Sequence, residues 1–212
     1  LQVIPDLMFC WNEFHKQELI NYHGIKAENI IKVGPYTHEE FLKPHRATKR
    51  DKFCEKHGLD PNKSIITFAG SSPATVGDET EAIKQILENN PQYQLIVRPH
   101  PFRMGEYHKL KDVWVIPATA ESPHQDSGYF QLAYDTYAHS EMVFGINSSA
   151  MLEAIILGRE VEFLKTNFPD IERNAMHVKA IWGKKLSEIY NWLEIGQRLP
   201  SEIIMEEIKR FI

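Results

Sequence analysis

The chain has 212 residues, of which 42% are hydrophobic and 25% charged, and its formal net charge is −5. These values are typical of a globular protein with one large domain, or with one domain and part of a second. The acidic balance disfavours a general nucleic-acid binder, since such proteins are usually basic. No apolar run reaches the ~18 residues of a transmembrane helix. Two cysteines are too few for a disulfide scaffold, so we expect a reducing compartment, the cytoplasm.

Residues 1–49 have the pattern of the end of an α/β domain followed by a linker. Short apolar runs at 7–11 and 30–33 predict two strands, and a helical pattern lies between them from Asn12 to about Tyr22. Gly24 is a typical helix-ending residue. The chain starts at Leu1 rather than at Met, and we expect it to be a piece of a longer protein.

A regular alternation of strands and helices follows from about residue 50 to 185. A short helix should end at Gly58, and later strands are predicted near 64–69, 94–97, 113–116, 142–146 and 161–164, with helices near 78–89, 130–139 and 148–157. This order predicts an α/β, three-layer Rossmann-like domain with a parallel sheet and helices on both faces. Residues 186–212 predict two amphipathic C-terminal helices, with Ser201 as the N-cap of the last.

Polar loops follow three of these strands, at the edge where open α/β sheets bind ligands. The first contains Gly70, Ser71 and Ser72. Glycine permits close backbone approach and the hydroxyls are donors, so this loop favours an anion such as a donor phosphate. It is neither a Walker loop nor a G-x-G-x-x-G motif. The alternative is a solvated turn.

The second loop is Arg98-Pro99-His100-Pro101, in which two prolines hold the backbone extended. His100 could donate to a phosphate or act as an acid or base, and Arg98 could pair with a phosphate or with a structural carboxylate. The alternative for His100 is a structural residue that bonds to the backbone.

The third loop runs through Asn147, Ser148 and Ser149 into a predicted helix that carries Glu153. Asn147 or Ser148 is a suitable N-cap, and the helix start with its two hydroxyls forms an anion site. Glu153 lies one turn beyond Ser149 on the same face, where a carboxylate suits the hydroxyls of a ribose. The alternative is an ordinary capped helix with a solvated glutamate.

Other kinds of site have little support in the sequence. There is no D-x-D motif, and Cys54 and His57 have no second pair of ligands at zinc spacing, so we predict no metal and no cofactor. Ser149 lacks the G-x-S-x-G context of a hydrolase nucleophile. A polar loop at 121–128 could cover a bound donor or be a plain surface loop.

The segment 98–101, followed by 140–149 and 153–161, resembles the C-terminal, donor-binding half of GT-B glycosyltransferases. The similarity is to bacterial capsule and surface-polysaccharide transferases of the CMP-Kdo-, CMP-sialic-acid- and CDP-glycerol-dependent types. It implies that His100, Ser148 and Ser149 contact the donor phosphate, with His100 as the catalytic candidate, and that Glu153 holds the donor ribose. It covers roughly residues 60–165, and the segment 29–35 resembles the crossing from the acceptor domain.

The resemblance also implies the partners. They are a nucleotide-activated sugar or glycerol as donor and a glycan or lipid-linked acceptor, with no nucleic acid. The location would be cytoplasmic, including peripheral association with the inner face of the membrane through parts outside this chain. Such families keep their general base in the acceptor domain, which is nearly absent here, so the chain alone could bind a donor and catalyse nothing. The alternatives are a sugar-nucleotide epimerase of the same fold and a non-catalytic nucleotide-binding module.

Overall fold

A computed structural model describes residues 4–43, 47–103, 107–116, 127–164 and 186–211. The chain divides into two compact units: Leu1–Lys43 with Ser187–Ile212, and Pro44–Leu186. Of the predicted Rossmann-like domain at 50–185, residues 165–185 lie outside the described residues, as do 121–126 of the polar loop.

The first unit begins with a strand–helix–strand segment. Strand β1 (Met8–Cys10) pairs in parallel with β2 (Ile30–Lys32), and helix α1 (Glu13–His23) connects them. Helix α1 starts where the Asn12 side chain accepts a hydrogen bond from the His15 amide at 3.0 Å. It ends at Gly24, whose φ of 65° is the left-handed conformation that glycine adopts without strain. A short helix, α2 (Glu39–Leu42), follows.

The two C-terminal helices, α7 (Leu186–Leu193) and α8 (Pro200–Phe211), belong to this first unit from Ser187 onward. The Asn12 side-chain amide donates to the Trp192 carbonyl at 2.7 Å, and the Ser201 hydroxyl donates to Glu39 at 2.7 Å. The prediction that Ser201 caps the last helix is wrong. The helix starts one residue earlier, at Pro200, whose fixed φ suits a first helical position.

The second unit contains a five-stranded parallel sheet. Its strands are β3 (Ile65–Ala69), β4 (Gln94–Arg98), β5 (Val113–Val115), β6 (Ser140–Gly145) and β7 (Glu160–Phe163), in the order β5-β4-β3-β6-β7. The helices are α3 (Arg50–His57), α4 (Thr80–Asn89), α5 (Ser127–Ala138) and α6 (Ala150–Ile156). Gly58 ends α3 with φ 69°, as its position in the sequence predicts.

Helices cover both faces of this sheet. Successive side chains of a strand point to opposite faces, so neighbouring residues of β3 pack against different helices. Ile66 and Phe68 of β3 share one apolar cluster with Ile83 and Ile86 of α4. Ile65 belongs to a second cluster, which also contains Phe53 and Cys54 of α3, with Leu132 of α5 packed against it. The predicted three-layer α/β fold with a parallel sheet is confirmed.

Candidate functional site

The three predicted loops start side by side at one edge of the sheet. Ala69, the last residue of β3, is in register with Arg98 of β4 on one side and with Gly145 of β6 on the other. From β3 the chain builds the sheet outward through β4 and β5, and then returns to add β6 and β7 on the opposite side. The carboxyl ends of β3 and β6 therefore form the switch point at which open α/β sheets bind ligands.

Ser71 connects the first loop to the third. Its Oγ accepts a hydrogen bond from the Asn147 amide at 3.0 Å, and its own amide donates to Glu79 Oε1 at 2.9 Å. Its carbonyl accepts from Arg103 Nε at 2.9 Å. Ser71 is fully buried, so it lies inside the loop and not at its surface. A direct contact between Ser71 and phosphate stays a prediction, while the structure shows a bridging role.

Three buried polar residues beneath this loop were missed by the sequence reasoning. The Tyr107 hydroxyl donates to Glu79 Oε2, and Arg103 Nε lies 3.8 Å from the same oxygen. Burial raises the pKa of Glu79 above its usual range, although the hydrogen bonds from Tyr107 and Ser71 and the charge of Arg103 oppose the shift. The sequence places Glu79 between β3 and β4 and the other two residues between β4 and β5, in polar segments that solvated loops explain equally well.

Gly70 lets the first and second loops approach closely. Its amide donates to the Arg98 carbonyl at 2.9 Å. A Cβ atom at this position would lie 3.0 Å from the His100 amide nitrogen and 3.2 Å from the Arg98 carbonyl oxygen. Both neighbours are backbone atoms and cannot rotate away, so glycine permits the close approach of these two loops, while a contact between Gly70 and the donor phosphate stays a prediction.

His100 is half-buried at the start of the second loop. Its Nδ1 accepts a hydrogen bond from the Phe102 amide at 3.3 Å. In a neutral imidazole this places the proton on Nε2, which is the arrangement that suits donation to an anion. The structure thus shows the backbone hydrogen bond of the structural alternative, and a contact between His100 and a phosphate stays a prediction.

Arg98 and Glu153 form a pair at the same edge. Arg98 is 5% exposed, and its Nη1 donates to the Tyr137 hydroxyl at 2.7 Å and lies 3.5 Å from Glu153 Oε2. Of the two partners predicted for Arg98, the structure shows the carboxylate, and a phosphate contact stays a prediction. The Glu153 side chain is 19% exposed, so part of it can be reached from the solvent, and a contact with a ribose stays a prediction.

The third loop differs from its prediction in the position of the helix start. Helix α6 begins at Ala150, and the preceding Ser149 makes no side-chain cap bond, so the predicted cap at Asn147 or Ser148 is wrong. The backbone N–H of Asn147 donates a hydrogen bond to Ser71 Oγ. Ser148 is buried and Ser149 is exposed.

The site therefore has an inner and an outer part. The inner part is buried and holds the loops in place; it contains Gly70, Ser71, Arg98 and Ser148. The outer part is half-buried or exposed and can meet a ligand; it contains Ser72, His100, Ser149 and Glu153. Hydroxyls, an imidazole and a carboxylate can together bind a molecule that joins a phosphate to a polyol. Among the described residues, no three His, Cys, Asp or Glu side chains are placed to hold a metal ion.

The chain is similar in structure to several solved proteins. One is the UDP-GlcNAc 2-epimerase of Methanocaldococcus jannaschii in complex with UDP-GlcNAc and UDP (TM-score 0.62, 14% identity, 97% of this chain and 61% of that chain). A second is the UDP-GlcNAc 2-epimerase of Neisseria meningitidis bound to UDP-GlcNAc (0.60, 15%, 97% and 62%). A third is the wall teichoic acid polymerase TagF soaked with CDPG (0.55, 15%, 97% and 57%).

These likenesses show the fold: an α/β, Rossmann-like architecture of the GT-B type, as the sequence predicted. The chain spans between 57% and 62% of the length of these three proteins. No protein-family model and no curated protein matches the sequence. Within the described part of the chain, no helix is both long and apolar enough to cross a membrane.

Proposed function

We propose that the second unit binds a nucleotide-activated sugar or glycerol, as the donor-binding half of a glycosyltransferase in surface-polysaccharide synthesis. The observation that carries the proposal is the meeting of three polar loops at the β3/β6 switch point, with Ser71 Oγ joined to the Asn147 amide at 3.0 Å. In open α/β sheets this is the place where nucleotides bind. The resemblance of segments 98–101, 140–149 and 153–161 to GT-B donor halves supports the same assignment.

The outer residues and the buried Ser148 have distinct roles in this proposal. His100, Ser72 and the Ser148–Ser149 pair bind the donor phosphate, and Glu153 accepts hydrogen bonds from the ribose hydroxyls. Arg98 keeps the Glu153 carboxylate in position, since its Nη1 lies 3.5 Å from Oε2 while Tyr137 holds the guanidinium at 2.7 Å. Fixed donors around the departing nucleotide phosphate stabilise its growing negative charge as its bond to the transferred group breaks and the acceptor oxygen bonds to that group. His100 is the catalytic candidate because its Nε2–H can donate to that phosphate.

An epimerase acting on a nucleotide sugar is the second candidate. Two structures similar to this chain, at TM-scores of 0.62 and 0.60, are UDP-GlcNAc 2-epimerases. Both candidates use a nucleotide site at the same sheet edge, so they predict the same binding and differ in the fate of the sugar.

Binding is tested by isothermal titration calorimetry of the chain with CMP, CDP and UDP, each compared with its nucleoside. Nucleotides should bind more tightly than cytidine or uridine, because the phosphate supplies the charge-assisted contacts. A folded chain that binds none of them at about 1 mM, where binding would be worth only about 4 kcal/mol, would contradict the proposal.

The reaction is tested on the complete gene product with labelled UDP-GlcNAc and CDP-glycerol. A transferase passes the labelled group to an added glycan or lipid-linked acceptor. Conversion of UDP-GlcNAc to its epimer without an acceptor would instead favour the second candidate. Nucleotide binding without either reaction would identify a non-catalytic binding module.

A further inference from the structure

The buried cluster of Glu79, Arg103 and Tyr107 lies directly behind the first loop. Their exposed fractions are 0%, 3% and 1%, so none of the three can touch a ligand in this structure. We propose that they are positioning residues for the phosphate site: they fix the peptide groups on both sides of Ser71 and thereby the placement of the first and third loops. This inference rests on the proposed nucleotide-binding function.

The cluster forms hydrogen bonds to two successive peptide groups, through the N–H of the first and the carbonyl of the second. The Glu79 carboxylate accepts from the Ser71 amide at 2.9 Å, which fixes the peptide before Ser71. Arg103 Nε donates to the Ser71 carbonyl at 2.9 Å, which fixes the peptide after it. In a planar trans peptide the carbonyl and the next N–H point in opposite directions. Because the Ser71 carbonyl faces the buried guanidinium, the Ser72 N–H points away from the cluster, where it can serve as a phosphate donor.

The same cluster controls the distance to the third loop. The Ser71 hydroxyl accepts from the Asn147 amide at 3.0 Å, so a fixed Ser71 also fixes the backbone that leads into Ser148 and Ser149. Arg103 adds a further donor to the Val76 carbonyl at the far end of the first loop. Two loops from strands on either side of the switch point are thus placed by one buried set of contacts.

The charges of the cluster oppose movement of Ser71. A buried carboxylate is costly unless it is paired and hydrogen-bonded, and Glu79 has an amide, a hydroxyl and a guanidinium around it. Any movement of Ser71 away from this arrangement would leave a buried charge short of partners. The loop is therefore preorganised, which favours binding because little order has to be gained when the ligand arrives.

The experiment compares Tyr107→Phe and Glu79→Gln with wild type in calorimetric titrations of CDP and cytidine, together with thermal unfolding. Each variant should weaken CDP binding about tenfold and leave the cytidine affinity unchanged, because only the phosphate contacts depend on the loops. The matched control is Ser140→Ala, which removes a buried hydroxyl at the start of β6 that bonds to Thr67 at 2.7 Å and to the Thr136 carbonyl at 2.7 Å. It should lower the melting temperature and leave both affinities unchanged.

Variants that lose thermal stability but keep the wild-type CDP affinity would overturn the positioning role and leave the proposed function intact. A wild-type chain that binds no nucleotide would overturn both. Hydrogen exchange on the wild-type protein gives a test that needs no variant: the Ser71 and Asn147 amides should exchange as slowly as those of the central sheet. Fast exchange of these two amides would show that the loops are not held, and would overturn the inference.

Discussion

Replacement of Glu153 by glutamine tests the proposed ribose contact most directly. The substitution keeps the shape of the side chain and removes its charge. The fold should persist, because Arg98 keeps its 2.7 Å hydrogen bond to the Tyr137 hydroxyl and the 3.5 Å contact to Glu153 is at the long limit for a hydrogen bond. Any large change in nucleotide affinity would therefore reflect a lost contact between Glu153 and the ligand, and not a disturbed fold.

The position of Glu153 in α6 indicates which part of the nucleotide it contacts, and the energy of that contact gives the expected magnitude. It stands four residues after Ser149, which is ~6 Å along a helix with a rise of ~1.5 Å per residue. This separation matches the step from a phosphate to the far hydroxyls of the ribose that carries it. Hydrogen bonds to a charged group contribute about 1–2 kcal/mol more than neutral ones, so the variant should bind CDP roughly 5- to 30-fold more weakly.

The assay is calorimetric titration of wild type and Glu153→Gln with CDP and with 2′,3′-dideoxy-CDP. The dideoxynucleotide should bind both proteins equally weakly, because it lacks the hydroxyls that Glu153 accepts from. Glu162→Gln, which neutralises an exposed carboxylate on β7, is the control and should behave as wild type. A Glu153→Gln variant that keeps the full preference for the ribonucleotide would refute the assignment of Glu153 to the ribose.

His100→Ala should weaken CDP binding by at least ~10-fold, about 1.4 kcal/mol, through loss of one charge-assisted hydrogen bond, as measured by calorimetry; unchanged affinity in a folded variant would return His100 to a structural role. Gly70→Ala should lower the unfolding free energy by about 1–3 kcal/mol and weaken CDP binding, because its Cβ would lie 3.0 Å from the His100 amide nitrogen; an unaltered urea midpoint would contradict this. The stability of wild type relative to Glu79→Gln should fall as the pH rises above the ordinary glutamate pKa of 4.5 and level off above the raised pKa, since the folded state holds that proton more tightly than the unfolded state. Urea unfolding of both proteins across this pH range measures the difference, and a difference that grows with pH would show the opposite shift.

The order of strands and helices could be predicted from the sequence because each depends on local patterns. The apolar run at Ile65–Ala69 and the helical spacing of Ile83 and Ile86 correspond closely to the observed β3 and α4. Gly24 and Gly58 end their helices as predicted, since a left-handed residue is a local requirement that glycine meets without strain. The predicted caps at Asn147 or Ser148 and at Ser201 were wrong by one or two positions, because local pattern does not fix the first residue of a helix that closely.

The sequence by itself determined the α/β class, the parallel sheet and the three loops that follow its strands, because hydrophobic periodicity and chain connectivity decide these features. Only the tertiary structure decided which side chains of those loops face inward. Ser71 and Ser72 are adjacent and alike in the sequence, yet Ser71 is fully buried against Glu79, Arg103 and Asn147, while Ser72 remains half-buried at the surface. These partners come from three separate stretches of chain. The pairing of Arg98 with Glu153, 55 residues apart, likewise depends on the strand order, which brings β4 and α6 to the same edge of the sheet.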